Sequence, residues 1–272
     1  MGIYFTGANQ RAFGTWPMRG EELAQAIEAA IDVGYRAFDT AQMYRNEREV
    51  GAALAASGKQ RSEFFITTKV HPDNFDADRF IPSVEQSLAD LSVDKVDVLL
   101  LHWPPIGGDV APSLRRLQEA HDRGLATHIG ISNYTAAMMR TAREVVDAPL
   151  VTNQVEFHPL LDQSVLLATT AEIGIPLSAH CAVARGAVTE HPLFAEIGDS
   201  KGKSATQVAL RWSLQMGVAL TVKSARPEII RANFEIMDFS LSSVEMAQIQ
   251  ALNATGYRIC GANVAPWAPD FD

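Results

Sequence analysis

Short apolar runs alternate with longer amphipathic stretches along the whole 272-residue sequence. The apolar runs are nearly continuous, which is typical of parallel strands that are buried on both faces. The stretches between them have helical spacing, and in 21–32 the aliphatic side chains fall on one side. This alternation predicts strands at 10–15, 36–40, 64–69, 96–102, 126–131, 150–156, 175–180 and 218–223.

Eight strand–helix units in a chain of this length predict one α/β domain, a (β/α)8 TIM barrel over residues 1–272 with a C-terminal tail at 256–272. A doubly wound open sheet is the alternative. No G-x-G-x-x-G follows any strand, so that alternative lacks the glycine turn with which such sheets bind dinucleotides. In a barrel, the active site is expected at the C-terminal ends of the strands.

Composition and charge narrow the possible functions. The net charge of −9 argues against a nucleic-acid partner. Two cysteines, Cys181 and Cys260, are too few for a secreted disulfide framework, and residues 1–20 lack the apolar segment of a secretory signal. The apolar runs are much shorter than the roughly 20 residues that span a membrane. We therefore expect a cytoplasmic protein without membrane or nucleic-acid partners, a monomer or weak oligomer that acts on a small molecule.

Nearly every predicted strand ends in a hydrogen-bonding or ionisable side chain. A single polar residue there is most simply a solvated strand end, but a series of them beside long apolar runs is typical of a site. A charge drawn toward an apolar barrel mouth needs a partner, so Asp39 and Lys69 are expected to pair. The strand-end residues are Asp39, Lys69, His102, Ser132, Asn133, Gln154, Glu156, His180, Lys223 and Ser224, with Tyr44 in the loop after the second strand.

Tyr44 and His102 are then left to face a substrate. Tyrosine ordinarily titrates near pH 10, and a neighbouring lysine ammonium favours the phenolate and lowers that pKa. A carboxylate such as Asp39 would fix the lysine, and His102 can orient a carbonyl oxygen. This combination predicts the protonation of a developing alkoxide. Such chemistry requires a hydride donor that no side chain provides, and a nicotinamide cofactor would supply it.

The same residues lie in motifs that resemble the aldo-keto reductase family. These motifs are GYRAFDTAQMYRNEREVG (34–51), LHWP (101–104), IGISNY (129–134), NQVEFHP (153–159) and SATQVALRW (204–212). The similarity extends over residues 13 to 252 and, within the family, is strongest to bacterial 2,5-diketo-D-gluconate reductases. It implies a (β/α)8 barrel that binds NADP(H) without a Rossmann domain.

The resemblance also implies residue roles. Tyr44 is the general acid, Lys69 and Asp39 tune it, and His102 orients the carbonyl. Ser132, Asn133 and Gln154 match the residues that hold the nicotinamide carboxamide, and Lys223 and Ser224 match those at the 2′-phosphate, where a lysine would favour NADP over NAD. Trp16 and Trp103 are expected to line the substrate pocket.

Several positions depart from the family pattern. His180 stands where a tyrosine usually stacks on the nicotinamide, and His71 replaces a tryptophan of the substrate pocket. Ile229 and Ala232 replace an arginine and a glutamate near the adenosine, whereas Asn233 is kept and Arg226 is placed to supply the lost charge. These departures leave NAD(H) open as an alternative cofactor.

The prediction is NADPH-dependent reduction of small aldehydes, ketones or diketones by direct hydride transfer. A nucleotide-binding barrel with a regulatory or redox-sensing role and little turnover is the alternative. No catalytic metal is expected, because none of the seven histidines forms an H-x-H or H-E-x-x-H motif. The substrate itself depends on loops 103–112 and 185–203 and on the tail, where Trp267 lies.

Overall fold

The computed structural model describes residues 7–263 and 265–272. Residues 1–6, which begin the segment considered for a secretory signal, and Val264 of the tail lie outside the described residues. Eight parallel strands form a closed barrel in sequence order. The strands are β1 (Arg11–Gly14), β2 (Ala37–Asp39), β3 (Phe65–Val70), β4 (Val96–Leu101), β5 (Ala126–Ser132), β6 (Leu150–Glu156), β7 (Leu177–His180) and β8 (Ala219–Val222).

Closure of the sheet confirms the predicted barrel and contradicts the doubly wound alternative. The first and last strands pair in parallel, with Arg11, Ala12 and Phe13 opposite Leu220, Thr221 and Val222. An open sheet would leave these two strands as unpaired edges. All eight predicted strands are present, and each differs from its predicted bounds by at most a few residues.

Helices surround the barrel and cover its outer face. In the first of them, the five buried side chains recur at helical spacing and include Leu23, Ile27 and Ile31, as the sequence pattern predicted. Within the described residues there are eleven α-helices: α1 (Gly20–Val33), α2 (Glu47–Ala56), α3 (Phe80–Leu91), α4 (Ala111–Asp122), α5 (Ala136–Val145), α6 (Ser164–Ile173), α7 (Ala187–Glu190), α8 (Pro192–Lys201), α9 (Ala205–Gln215), α10 (Pro227–Phe234) and α11 (Ser243–Gln250).

Local sequence signals set where several helices begin and end. Ser204 caps α9, and its hydroxyl and the Gln207 side chain satisfy each other's backbone N–H groups. Gly34 ends α1 at φ 119°, and its N–H donates to the carbonyl of Ala30. A side chain would be strained at that φ and would also approach the Phe234 ring within about 3.0 Å.

The parallel arrangement brings the carboxyl ends of all eight strands to one rim. The residues that end or follow β2, β3, β4 and β6 therefore meet there although they are far apart in sequence. None of the helices in the described part of the chain has both the length and the apolar character that crossing a bilayer requires.

Candidate active site

Lys69 lies at the centre of the polar cluster at this rim. Its ammonium Nζ is 2.5 Å from Asp39 Oδ1, donates to the Thr40 carbonyl at 2.9 Å, and lies 3.3 Å from the Tyr44 hydroxyl. The lysine side chain has no exposed surface and the Asp39 side chain has 3%. An ammonium in such a place needs a paired carboxylate and satisfied donors, and both are present.

The charge of Lys69 is stabilised by its neighbours. Burial alone would lower the pKa of this lysine, but the adjacent Asp39 carboxylate and the Tyr44 hydroxyl outweigh it, so that the pKa lies above its usual value. The lysine therefore remains protonated across the physiological range and keeps a fixed positive charge beside the phenol.

The pKa of Tyr44 is shifted in the opposite direction to the one that the sequence predicted. Lys69 does favour the phenolate, but burial of the hydroxyl is the larger effect, and the pKa of Tyr44 is raised. The expected lowering of the Tyr44 pKa is thus wrong. The reason is that the sequence shows the charged neighbour and does not show how completely the ring is enclosed. Tyr44 consequently holds its proton at neutral pH.

His102 follows β4 and faces the same cluster. Its ring centroid is 5.5 Å from that of Tyr44 in an edge-to-face arrangement. Burial and the charge of Lys69 hold the pKa of His102 well below its usual range, so the ring is neutral at pH 7. Its Nδ1 is buried and has no hydrogen-bond partner among the described residues. A buried orphan atom of this kind is expected to be satisfied by a bound molecule.

The four residues Asp39, Tyr44, Lys69 and His102 are therefore brought together by three strand ends and one loop. Tyr44 reaches the cluster because a short 3-10 helix, Gln42–Tyr44, follows β2 directly. Asp39, Tyr44 and His102 also line a cavity of about 390 Å³ at the barrel mouth.

The predicted nicotinamide contacts form a connected hydrogen-bond network beside this cluster. Gln154 Nε2 donates to Asp39 Oδ2 at 2.9 Å, and the Ser132 hydroxyl donates to the Gln154 carbonyl at 2.7 Å. Asn133 Nδ2 donates to the carbonyl of His102, while its Oδ1 lies 2.9 Å from His180 Nε2. The side chains Ser132, Asn133, Gln154 and His180 all line the cavity.

Of the four residues predicted to contact the adenosine half of the cofactor, two line the cavity and two do not. Lys223 and Asn233 line the cavity, and the buried Asn233 Oδ1 has no partner among the described residues. Lys223 is exposed and takes part in no ion pair within the described ranges. Ser224 and Arg226 do not line the cavity; the Ser224 hydroxyl accepts from the Arg226 backbone N–H, and the Arg226 side chain lies 3.4 Å from Glu228.

The polar groups at the two ends of the cavity suit the two ends of a dinucleotide. The inner end of the cavity has amide and hydroxyl groups suited to a carboxamide, and the outer end has an unpaired lysine suited to a phosphate. The orphaned atoms of His102 and Asn233 are buried polar groups that a ligand would satisfy. The residues present fit a nicotinamide dinucleotide.

Two of the three residues predicted to line the substrate pocket do line the cavity. Trp16, which is 48% exposed, and the buried Trp103 both line the cavity. His71 does not line it; the His71 ring lies edge-to-face against Trp267, with 5.1 Å between the ring centroids. Trp267 of the C-terminal tail does line the cavity, so the tail contributes to the pocket wall.

Sequence reasoning did not place Cys260 at this site. The tail brings Cys260 Sγ to 3.9 Å from Cys181 Sγ, across 79 residues of sequence. Both cysteines line the cavity. No local signal could have found this pair, because it depends on how the tail folds back over the barrel.

Comparison with known proteins agrees with the fold and identifies the family. A sequence model of the aldo/keto reductase family matches residues 5–254. An aldo-keto reductase of Mycobacterium avium is 37% identical over 241 residues, which cover 88% of this chain and 85% of that protein. A crystal structure described as a candidate 2,5-diketo-D-gluconic acid reductase B is 42% identical, with a TM-score of 0.93 and coverage of 100% of this chain and 97% of that chain.

A more distant solved structure has the same architecture. The aldose reductase of Schistosoma japonicum is 27% identical, with a TM-score of 0.83, and the alignment covers 89% of this chain and 88% of that chain. The fold and these comparisons thus define a barrel oxidoreductase of the class that reduces carbonyl compounds with nicotinamide cofactors. The chain belongs to the aldo/keto reductase family, and the resemblance inferred from its motifs is confirmed.

Proposed function

We propose that this protein reduces small aldehydes, ketones or diketones with NADPH and that Tyr44 donates the proton. The observation that carries this proposal is the enclosed contact of Lys69 with both Asp39 and Tyr44 at the base of the cavity. A tyrosine that holds its proton beside a fixed ammonium can release that proton when an alkoxide develops nearby.

Each residue of the cluster has a distinct part in this reaction. Tyr44 begins protonated because burial raises its pKa, and it passes its proton to the carbonyl oxygen. The resulting phenolate is stabilised by Lys69 Nζ, which lies 3.3 Å from the Tyr44 oxygen. Asp39 keeps the ammonium in position, and the neutral His102 ring offers an N–H to orient the carbonyl oxygen.

The bound NADPH would supply the hydride. Ser132, Asn133 and Gln154 would hold its carboxamide, and His180 would lie against its nicotinamide ring. Lys223 and Ser224 would meet the 2′-phosphate, with Asn233 and Arg226 nearby. Because Ile229 and Ala232 offer no charge to the adenosine end, the preference for NADPH over NADH depends mainly on Lys223.

The pocket wall supports a small, partly polar substrate. Trp16, Trp103 and Trp267 give flat apolar surfaces, and the His71 ring packs edge-to-face against Trp267. A cavity of about 390 Å³ that must also accept a nicotinamide leaves room for a compact carbonyl compound.

The test is steady-state oxidation of NADPH with a panel of simple aldehydes, ketones and diketones, followed by absorbance. We expect multiple turnovers with the native protein. Tyr44→Phe should retain its affinity for NADPH and lose about 100-fold or more in rate, since a general acid contributes roughly that factor. Equal rates for the two proteins would remove Tyr44 from the mechanism. Tight NADPH binding without turnover of any substrate would favour the regulatory alternative.

A further inference from the structure

Three side chains that commonly bind transition metals meet at the edge of the cavity. His180 and Cys181 come from the end of β7, and Cys260 comes from the C-terminal tail. One donor atom of each lies within 4.8 Å of the other two, and the two sulfurs are 3.9 Å apart. All three residues line the cavity, so a small ion from solvent can reach them.

The spacing suits tetrahedral zinc. Thiolate sulfurs bind Zn²⁺ at about 2.3 Å, which places two of them about 3.8 Å apart on a tetrahedron. One imidazole and two thiolates form a borderline-soft donor set that favours zinc over magnesium or calcium. Three protein ligands leave a fourth position for a solvent molecule or another ligand.

The contact with Asn133 engages one ring nitrogen of His180 and leaves the other for a metal. The carbonyl of His102 can only accept, so the Asn133 amide must direct its Nδ2 toward that carbonyl, at 2.9 Å. Asn133 Oδ1 therefore faces His180 Nε2 and accepts its proton at 2.9 Å. A neutral His180 then carries its lone pair on Nδ1. Ligating histidines usually have this arrangement, with the second nitrogen held by an oxygen acceptor.

The two cysteines are also held in place by their backbones. Cys181 has φ 54°, an unusual value for a residue other than glycine, and its carbonyl accepts from the Ala184 N–H at 2.7 Å. The Cys260 N–H donates to Glu156 Oε2 at 2.6 Å, and the Ile259 N–H donates to Glu156 Oε1 at 2.8 Å. A buried carboxylate at the end of β6 thus fixes the tail beside β7.

We propose that His180, Cys181 and Cys260 form a Zn²⁺ site whose fourth coordination position opens into the cavity. Zinc would be held by two thiolates and a neutral imidazole, and any proton still on the two sulfurs would pass to solvent on binding. The ion would fix the His180 ring and occupy space where the nicotinamide ring is proposed to lie. Zinc should therefore compete with NADPH, and this second consequence rests on the proposed function.

The first test measures metal uptake by the native protein without cofactor, in a phosphine reductant that keeps both thiols reduced. Titration with Zn²⁺ against a chromophoric chelator should show one equivalent bound with micromolar or tighter affinity. Co²⁺ should give thiolate-to-metal charge-transfer absorption and the visible bands of tetrahedral cobalt. Bound Zn²⁺ should also protect Cys181 and Cys260 from alkylation, as read by peptide mass spectrometry.

Substitutions then assign the ligands. Cys181→Ser, Cys260→Ser and His180→Ala should each weaken zinc binding by more than about 100-fold, a larger loss than outer-shell changes usually cause. His121→Ala is the control, because this partly exposed histidine lies on α4, away from the cavity, and it should bind zinc as the native protein does. The alkylation result on the native protein keeps the test decisive if a variant fails to fold.

Three results would overturn the proposal: no zinc uptake by the reduced protein, cobalt spectra without a thiolate band, or unchanged affinity in all three ligand variants. Formation of a Cys181–Cys260 disulfide on mild oxidation, with no metal uptake by the reduced protein, would identify a redox pair instead. In a separate arm, Zn²⁺ should raise the apparent Kd of NADPH. Uptake of zinc without that competition would contradict the proposed cofactor position and would leave the metal site standing.

Discussion

At the scale of single residues, Lys69 shows how the site depends on enclosure. An ammonium without exposed surface is stable only because Asp39 neutralises it and its donors are satisfied. The same enclosure raises the pKa of Tyr44 against the pull of the lysine. The sequence identified all four residues of the cluster, but it could not rank burial against charge for the tyrosine.

Lys223 determines the expected cofactor preference. Hydrogen bonds to charged groups contribute about 1.5–3 kcal/mol, so Lys223→Ala should weaken NADPH binding by about 10- to 100-fold. Binding of NADH, which lacks the 2′-phosphate, should change little. Both affinities are measured by fluorescence titration. Lys95→Ala, just before β4 at the opposite rim, is the control. An equal loss for both cofactors would argue against a contact with the 2′-phosphate.

His102 should make the protein less stable in mild acid. Its pKa in the native state lies well below the ordinary value of about 6.5, so below that pH the unfolded chain binds a proton that the native state does not. Stability should therefore fall as the pH drops from about 6.5, by up to about 1.4 kcal/mol per pH unit for this one group.

To test this prediction, the free energy of unfolding in urea is measured at pH 7 and pH 5 for the native protein and for His102→Gln. The loss of stability between the two pH values should be smaller for the variant than for the native chain. His71 and His128 also have lowered pKa values, but they are present in both proteins and cancel in the difference. Parallel curves would show that His102 is not held neutral.

At the scale of elements, the C-terminal tail completes the cavity. Glu156, the last residue of β6, accepts hydrogen bonds from the backbone of Ile259 and Cys260 and interacts with His158 at 2.8 Å. Burial would raise the pKa of Glu156, but these hydrogen bonds outweigh it and lower the pKa. The tail was expected to shape specificity; its attachment through Glu156 was not foreseen, since β6 and the tail are about 100 residues apart.

Glu156→Gln should loosen the tail without opening the barrel. The amide offers one acceptor oxygen in place of two, so one of the Ile259 or Cys260 N–H groups loses its partner, at a cost of about 1–3 kcal/mol. Hydrogen exchange at these two amides should become about 10- to 100-fold faster. Glu172→Gln on α6, which removes an exposed bond to Arg140, is the control. Unchanged exchange in Glu156→Gln would show that other contacts hold the tail.

At the scale of the whole molecule, binding of the cofactor should increase the free energy of unfolding of the barrel. A ligand that binds only the folded protein adds about 2.7 kcal/mol of stability at a concentration 100 times its Kd. NADPH at that level should raise the urea midpoint accordingly, and NADH at the same concentration should raise it less. Equal shifts for the two cofactors would indicate that the protein does not distinguish them.

The eight strand–helix units, the residues at the strand ends and the family were predictable from the sequence, because they follow from local periodicity and short motifs. The three-dimensional fold establishes which strand-end groups touch, how burial shifts the pKa of Tyr44, and how the tail brings Cys260 to Cys181 and Trp267 to the cavity. These results depend on solvent exclusion and on contacts between distant segments, and neither is encoded in any single stretch of the chain.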